Sequence, residues 1–256
     1  MIVIRSIYES EAETFLRLLC DVFELDLARA HCVFFNEPLF DLQSKWALFD
    51  EGRMVSILTT VPLCFGWGQA IGIAGVATTP SERRKGRAGA LVRHVVEEAF
   101  GRGCRTAYLF ARQTAAYEKV GFRVVDQVVR APLVCWPPQG QEDILEKEEV
   151  RRIYDEWAVA DPRRLRRDDR RWAYWSWNLR LSLRHGNGYI CQEGLTVKEA
   201  VGIGPEEWRC PIGTEWFGLQ SVSRELHIPI KSGHRELDLM AIGDCHVPIM
   251  FMTDQF

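Results

Sequence analysis

The chain has 256 residues, 47% of them hydrophobic and 26% charged, with a formal net charge of −3. Those proportions exclude a disordered, collagenous or coiled-coil chain, and the small net charge excludes a global field drawing the whole protein onto nucleic acid. At about 100–200 residues per domain, the length admits one large domain or two small ones, with a core that needs no metal or disulfide staple.

Val3–Ile7 predicts a strand. From Glu9 to Ala30, Phe15, Leu18, Leu19, Val22 and Phe23 recur at helical spacing and predict a helix. Trp46–Phe49 reads as a strand, Glu51-Gly52 as a tight turn, and Val55–Leu63 as the strand returning across it. Ala70–Thr79 is a further strand, stopped by Pro80. Residues 55–81 carry no charge, but Pro62, Gly66, Gly68 and Gln69 interrupt them, so two buried strands fit better than a membrane span. A helix from Gly86 to Phe100 follows, with Leu91, Val92, Val95, Val96 and Ala99 on one face. Then come a strand Thr106–Phe110, a short helix Ala115–Val120 ending at Gly121, and a strand Arg123–Pro132. This alternation predicts a mixed α/β sheet flanked by helices.

Trp136–Asp143, with two prolines and a glycine, reads as a linker, which divides the chain into domains 1–138 and 139–256. The second half is expected to open with a helix Ile144–Val159 and an Arg/Trp-rich helix running to Leu183. Tyr189–Cys191, Ala200–Ile203, Leu237–Met240 and Pro248–Met252 read as strands, and Glu215–Leu226 as a helix. The eight cysteines form no close pair of the kind zinc sites use, so no metal is expected. The first residues lack a long apolar run and turn acidic by Glu9, which together with scattered thiols reads as a cytoplasmic protein.

The chemistry-bearing block is Gly75 to Ala88, where a strand gives way through a basic turn to a helix. The small residues Gly86 and Ala88 let backbone approach a ligand, and the first N–H groups of the helix have no intrahelical partner. Arg83, Arg84, Lys85 and Arg87 surround that turn with positive charge. The arrangement suits a diphosphate, yet it is neither a Walker A loop nor a dinucleotide fingerprint.

Here the sequence resembles the GCN5-related N-acetyltransferase (GNAT) family. Its acetyl-CoA signature, Gln/Arg-x-x-Gly-x-Gly/Ala, is met by Arg83, Gly86 and Ala88, and its Tyr-x-x-x-Gly-Phe element by Tyr117, Gly121 and Phe122. The resemblance is specific over residues 1–135 and looser over 150–256, where it is similar to the second, degenerate GNAT-like domain of the enhanced-intracellular-survival (Eis) branch. A third, sterol-carrier-like domain of that branch would begin where this chain stops. The resemblance implies acetyl transfer from acetyl-CoA to an amine, without a metal. It implies that Val76, Ala77 and Thr78 hydrogen-bond pantetheine at a splayed strand end. Arg83, Arg84, Lys85, Gly86, Arg87 and Ala88 would hold the diphosphate, and Tyr117 would protonate the departing thiolate. Glu37, Asp254 and the Phe256 carboxylate stand as candidate bases. The acceptor is a small-molecule amine or a protein lysine, and a homo-oligomer is left open.

Two other readings bear on function. The same fold could serve as a non-catalytic acyl-CoA sensor or interaction module. The Arg163–Trp177 cluster could meet RNA, form a pocket wall, or be a helix with a basic solvated face and an aromatic buried face; the last is favoured, because Asp168 and Asp169 offset the arginines.

Overall fold

A computed structural model describes residues 1–138, 140, 143–178 and 180–256. Part of the expected linker, Gln139, Gln141 and Glu142, lies outside the described residues, as does Leu179.

The first half follows the alternation of its sequence. Strand β1 (Ile2–Ser6) leads through a 3-10 turn to α1 (Ala12–Phe23). The single helix expected to Ala30 is in fact two. Glu24 takes a left-handed φ of 55° and ends α1, and the Asp26 carboxylate accepts the Arg29 N–H at 2.8 Å to start α2 (Leu27–Phe34). Strands β2 (Lys45–Asp50) and β3 (Arg53–Phe65) meet at Glu51-Gly52, both with positive φ, as a two-residue hairpin turn requires. The uncharged stretch becomes most of β3 and all of β4 (Gly68–Thr78), paired antiparallel inside the sheet. Then follow α3 (Arg87–Gly101), β5 (Thr106–Ala111), α4 (Ala115–Glu118) and β6 (Arg123–Pro132).

The second half contains α5 (Lys147–Val159), β7 (Leu165–Arg166), α6 (Asp169–Trp177), β8 (Leu181–His185), β9 (Gly188–Glu193) and β10 (Thr196–Val201). It closes with β11 (Glu215–Leu219), α7 (Gln220–Glu225) and β12 (His234–Gly243). Three expectations are corrected. The Arg/Trp-rich helix stops at Trp177, and Leu181–His185 pairs with β9. Residues 215–219, with Trp216, Leu219 and Val222 at a helix-like interval, are a strand, because pairing to β6 buries Trp216 and Leu219 completely. Pro248–Met252 is no regular strand; it makes one bridge, Arg164 to Ile249, and ends in a 3-10 turn at Met252–Asp254.

One mixed, mostly antiparallel sheet runs through both halves in the order β1-β2-β3-β4-β5-β12-β6-β11-β10-β9-β8, with β7 paired to β3. Its decisive feature is β12, which lies between β5 and β6 and is antiparallel to both. One core lies between α1/α2 and the sheet, another beneath α3, and a third spans the second half.

The halves echo each other. Strands β4 and β5 are parallel, as are β10 and β11, and in each pair the ladder covers only the start of the earlier strand.

Candidate active site

Strands β4 and β5 pair only from Ala70 to Ile73, so from Ala74 onward β4 parts from its neighbour. A bulge sits there: β4 uses three residue steps, Ala74 to Ala77, where β3 uses two, Thr59 to Ile57. Gly75, at φ 58°, takes the left-handed conformation that the extra residue needs. The parted strands open a cavity of about 830 Å³, reaching from Val76 past Ala88 and Gly89 of α3 to Tyr117 and Leu237.

At one end of this cavity the basic turn feeds α3. Gly86 caps the helix at φ 77°, and Arg84 is also left-handed at φ 62°. Among the described residues, the backbone N–H groups of 84–89 donate to no protein acceptor. Successive free amides at the start of a fifteen-residue helix form a concave, electropositive nest. The charged side chains divide. Arg84 has no partner among the described residues, Arg83 Nε donates to the Thr78 carbonyl at 3.3 Å, and Lys85 pairs with Glu82 at 3.0 Å. Arg87 is turned back onto Asp50 and Glu82, so it offers the nest its amide and not its charge.

Of the other expected residues, Val76 lines the cavity. Ala77 faces the opposite side of the sheet, buried with Phe15, Leu16 and Ile57, as strand alternation requires. The Thr78 hydroxyl is taken up by Ser56 at 2.8 Å. Tyr117, on α4, lines the cavity and meets Phe122 edge-on at 6.3 Å. Burial pushes its phenol above the ordinary value of 10.0, so it keeps its proton at neutral pH.

A second cavity, about 550 Å³, opens on the other side of β4 beneath α1 and α2. Ala74, Gly75, Gln255 and Phe256 line both, so the two spaces share a wall. Phe256 lies flat over β4 at Gly72, where a β-carbon would come within 2.6 Å of the ring. Glu37 and Lys45 line this second cavity as a pair at 3.4 Å. Burial lowers the Lys45 ammonium, and Glu37 opposes that shift.

The C-terminal segment is held by buried charge. Arg167, fully enclosed, donates to Glu199 at 2.6 Å, to Asp254 at 2.6 Å and to Thr253 at 3.0 Å, and lies over the Tyr154 ring at 3.7 Å. Burial alone would raise the Glu199 carboxyl; the Arg167 charge and hydrogen bonds outweigh it and hold Glu199 below the ordinary range. Asp254 is committed to Arg167 and lines neither cavity. Arg171 is 3% exposed, and with Tyr174 it lines the second cavity. The Arg163–Trp177 cluster therefore does not present a uniformly basic solvated face: its central arginines are interior, and α6 supplies a pocket wall. Sequence reading had no signal for this choice, because the acids that draw Arg167 inward lie 32 and 87 residues away.

An opened parallel strand pair with a free-amide nest at the following helix suits an extended ligand that carries an anion. Residues 3–125 match the family model described as an acetyltransferase (GNAT) domain. Those residues of the chain therefore form a GNAT domain. It is similar to a GCN5-related N-acetyltransferase from Kribbella flavida at 16% identity (TM-score 0.72, covering 95% of this chain and 72% of that one). A putative acetyltransferase from Pyrococcus horikoshii is 16% identical (TM-score 0.67, covering 98% and 92%). Eis1 from Mycobacterium abscessus is also 16% identical (TM-score 0.62, covering 93% and 73%). A search of the curated proteins gave no match. Among the described residues, no helix is long and apolar enough to cross a membrane.

Proposed function

We propose that this chain is an acetyl-CoA-dependent N-acetyltransferase that moves the acetyl group directly onto an amine. The reading rests on one observation: unpartnered amides at 84–89 open beside a strand edge that has left its neighbour, along a cavity of about 830 Å³. The nest and Arg84 hold the diphosphate of the co-substrate, and the freed edge of β4 around Val76 receives pantetheine as an added strand would be received. A backbone N–H of that edge stabilises the thioester oxygen as charge builds on it, worth about 3 kcal/mol per donor. The ammonium gives up a proton to a carboxylate or to water, the amine nitrogen attacks the thioester carbonyl, the C–N bond forms, the C–S bond breaks, and the nitrogen sheds its second proton to water. Tyr117 protonates the leaving thiolate. The amine enters from the second cavity across the wall at Ala74–Gly75. Glu37, which faces that cavity while Asp254 is locked to Arg167, is the carboxylate we place nearest the incoming ammonium.

The second half is proposed as a degenerate copy of the first, with units 1–138 and 139–256 sharing one sheet. In place of α3, a 3-10 turn at Pro205–Glu207 lies between β10 and β11, and the Gly204 N–H is capped by the Glu207 carboxylate at 2.6 Å. A carboxylate in the nest position excludes a diphosphate there.

Acetyl-CoA should raise the melting temperature, by mass action on the native state, and should release free thiol when an amine is supplied. A melting shift without thiol release over a broad amine panel would make the chain a sensor. No melting shift would end the reading.

A further inference from the structure

Resting on that reading, we infer that the acceptor is an apolar amine that also carries a carboxylate, such as a free hydrophobic α-amino acid, and that Arg29 recognises the carboxylate. The second cavity is walled mainly by leucine, valine and phenylalanine side chains of α1, α2 and β3, so it rewards an apolar body. Its ionisable side chains are Asp26 and Glu37 against Arg29, Lys45 and Arg171, and the Phe256 carboxylate brings the lining to balance. Both acids are engaged, Asp26 in capping α2 and Glu37 with Lys45. The cations are less so. The exposed Arg29 side chain has no hydrogen bond or ion pair among the described residues. Arg171 Nη2 donates to the Pro62 carbonyl at 2.7 Å, while the buried Nη1 has no hydrogen-bond partner among the described residues, its nearest anion being Asp254 at 3.7 Å.

A polycation would meet one unengaged carboxylate, that of Phe256, beside three cations. A zwitterion matches it: the ammonium toward Glu37 and the Phe256 carboxylate, the carboxylate on Arg29, and the buried charges of Lys45 and Arg171 adding to the attraction. The cavity, at about 550 Å³, has the size of a small-molecule site. In the reaction the amino nitrogen bonds to the acetyl carbon, and CoA leaves as the thiol.

The test compares thiol release by the full chain with acetyl-CoA and five acceptors: phenylalanine, leucine, phenethylamine, spermidine and kanamycin. Phenylalanine should exceed phenethylamine in kcat/KM by about tenfold or more, the order expected of a charge-assisted hydrogen bond, and the two polycations should stay near background. Arg29→Gln should raise KM for phenylalanine and bring that ratio toward one, and Arg29→Glu should invert it. Both variants should keep the acetyl-CoA melting shift, which shows that they fold. Polycations as the best acceptors, or a ratio that Arg29→Gln leaves unchanged, would overturn this inference alone. Loss of the acetyl-CoA shift in the unaltered chain would overturn the acetyltransferase reading and this inference with it.

Discussion

Tyr117 lines the larger cavity from a helix of only four residues. Its position follows from local sequence: Gly121, at φ 109°, ends the turn and lets Phe122 fold back under the ring. Because burial raises the phenol, the proposed acid keeps its proton well past neutrality. The midpoint of its titration should lie above about pH 10, the ordinary tyrosine value, so an alkaline fall in kcat with a midpoint below that pH would not be due to Tyr117. Tyr117→Phe should lower kcat by about 10²-fold or more, the usual contribution of a positioned acid, and leave the acetyl-CoA melting shift nearly intact. An unaltered kcat in stopped-assay thiol measurements would remove Tyr117 from the mechanism.

At the scale of elements, the site depends on the junction of β4 with α3. The motif residues Arg83, Gly86 and Ala88 are contiguous in the chain, so the turn and its free amides were readable from sequence. The roles of neighbouring side chains were not. Arg87 faces Asp50, 37 residues away, and Ala77 turns into the core because a strand alternates its faces. Gly86→Glu tests the junction. A β-carbon at Gly86 meets nothing within 4 Å, so crowding within the protein is not the issue. The left-handed φ of 77° and a carboxylate at the nest both oppose the change, and the variant should fold but lose the acetyl-CoA melting shift. Binding that survives in a calorimetric titration would place the diphosphate elsewhere.

For the whole molecule, the placement of β12 decides how the protein holds together. The strand comes from the last quarter of the chain and fills the gap between β5 and β6. A fragment of residues 1–138 would leave both of those strands with open edges in what is now the middle of a sheet, a template for aggregation. That fragment should be insoluble or lack a cooperative melt, and the intact chain should unfold in urea as a single transition by fluorescence and circular dichroism alike. A soluble fragment with its own sharp transition would mean that the two halves are energetically separate.

Alternation of helical and strand periods, two turn signals and one phosphate-cradling motif were enough to place the chain in an α/β class and to locate the nest, because each is written in neighbouring residues. Tertiary structure alone decided the insertion of β12, the strand identity of 215–219, the inward turn of Arg167 and Arg171, and the wall that Gln255 and Phe256 build between two cavities. These are settled by partners tens to more than a hundred residues distant, through sheet pairing, desolvation and opposite charge, and no local pattern encodes which distant partner will prevail.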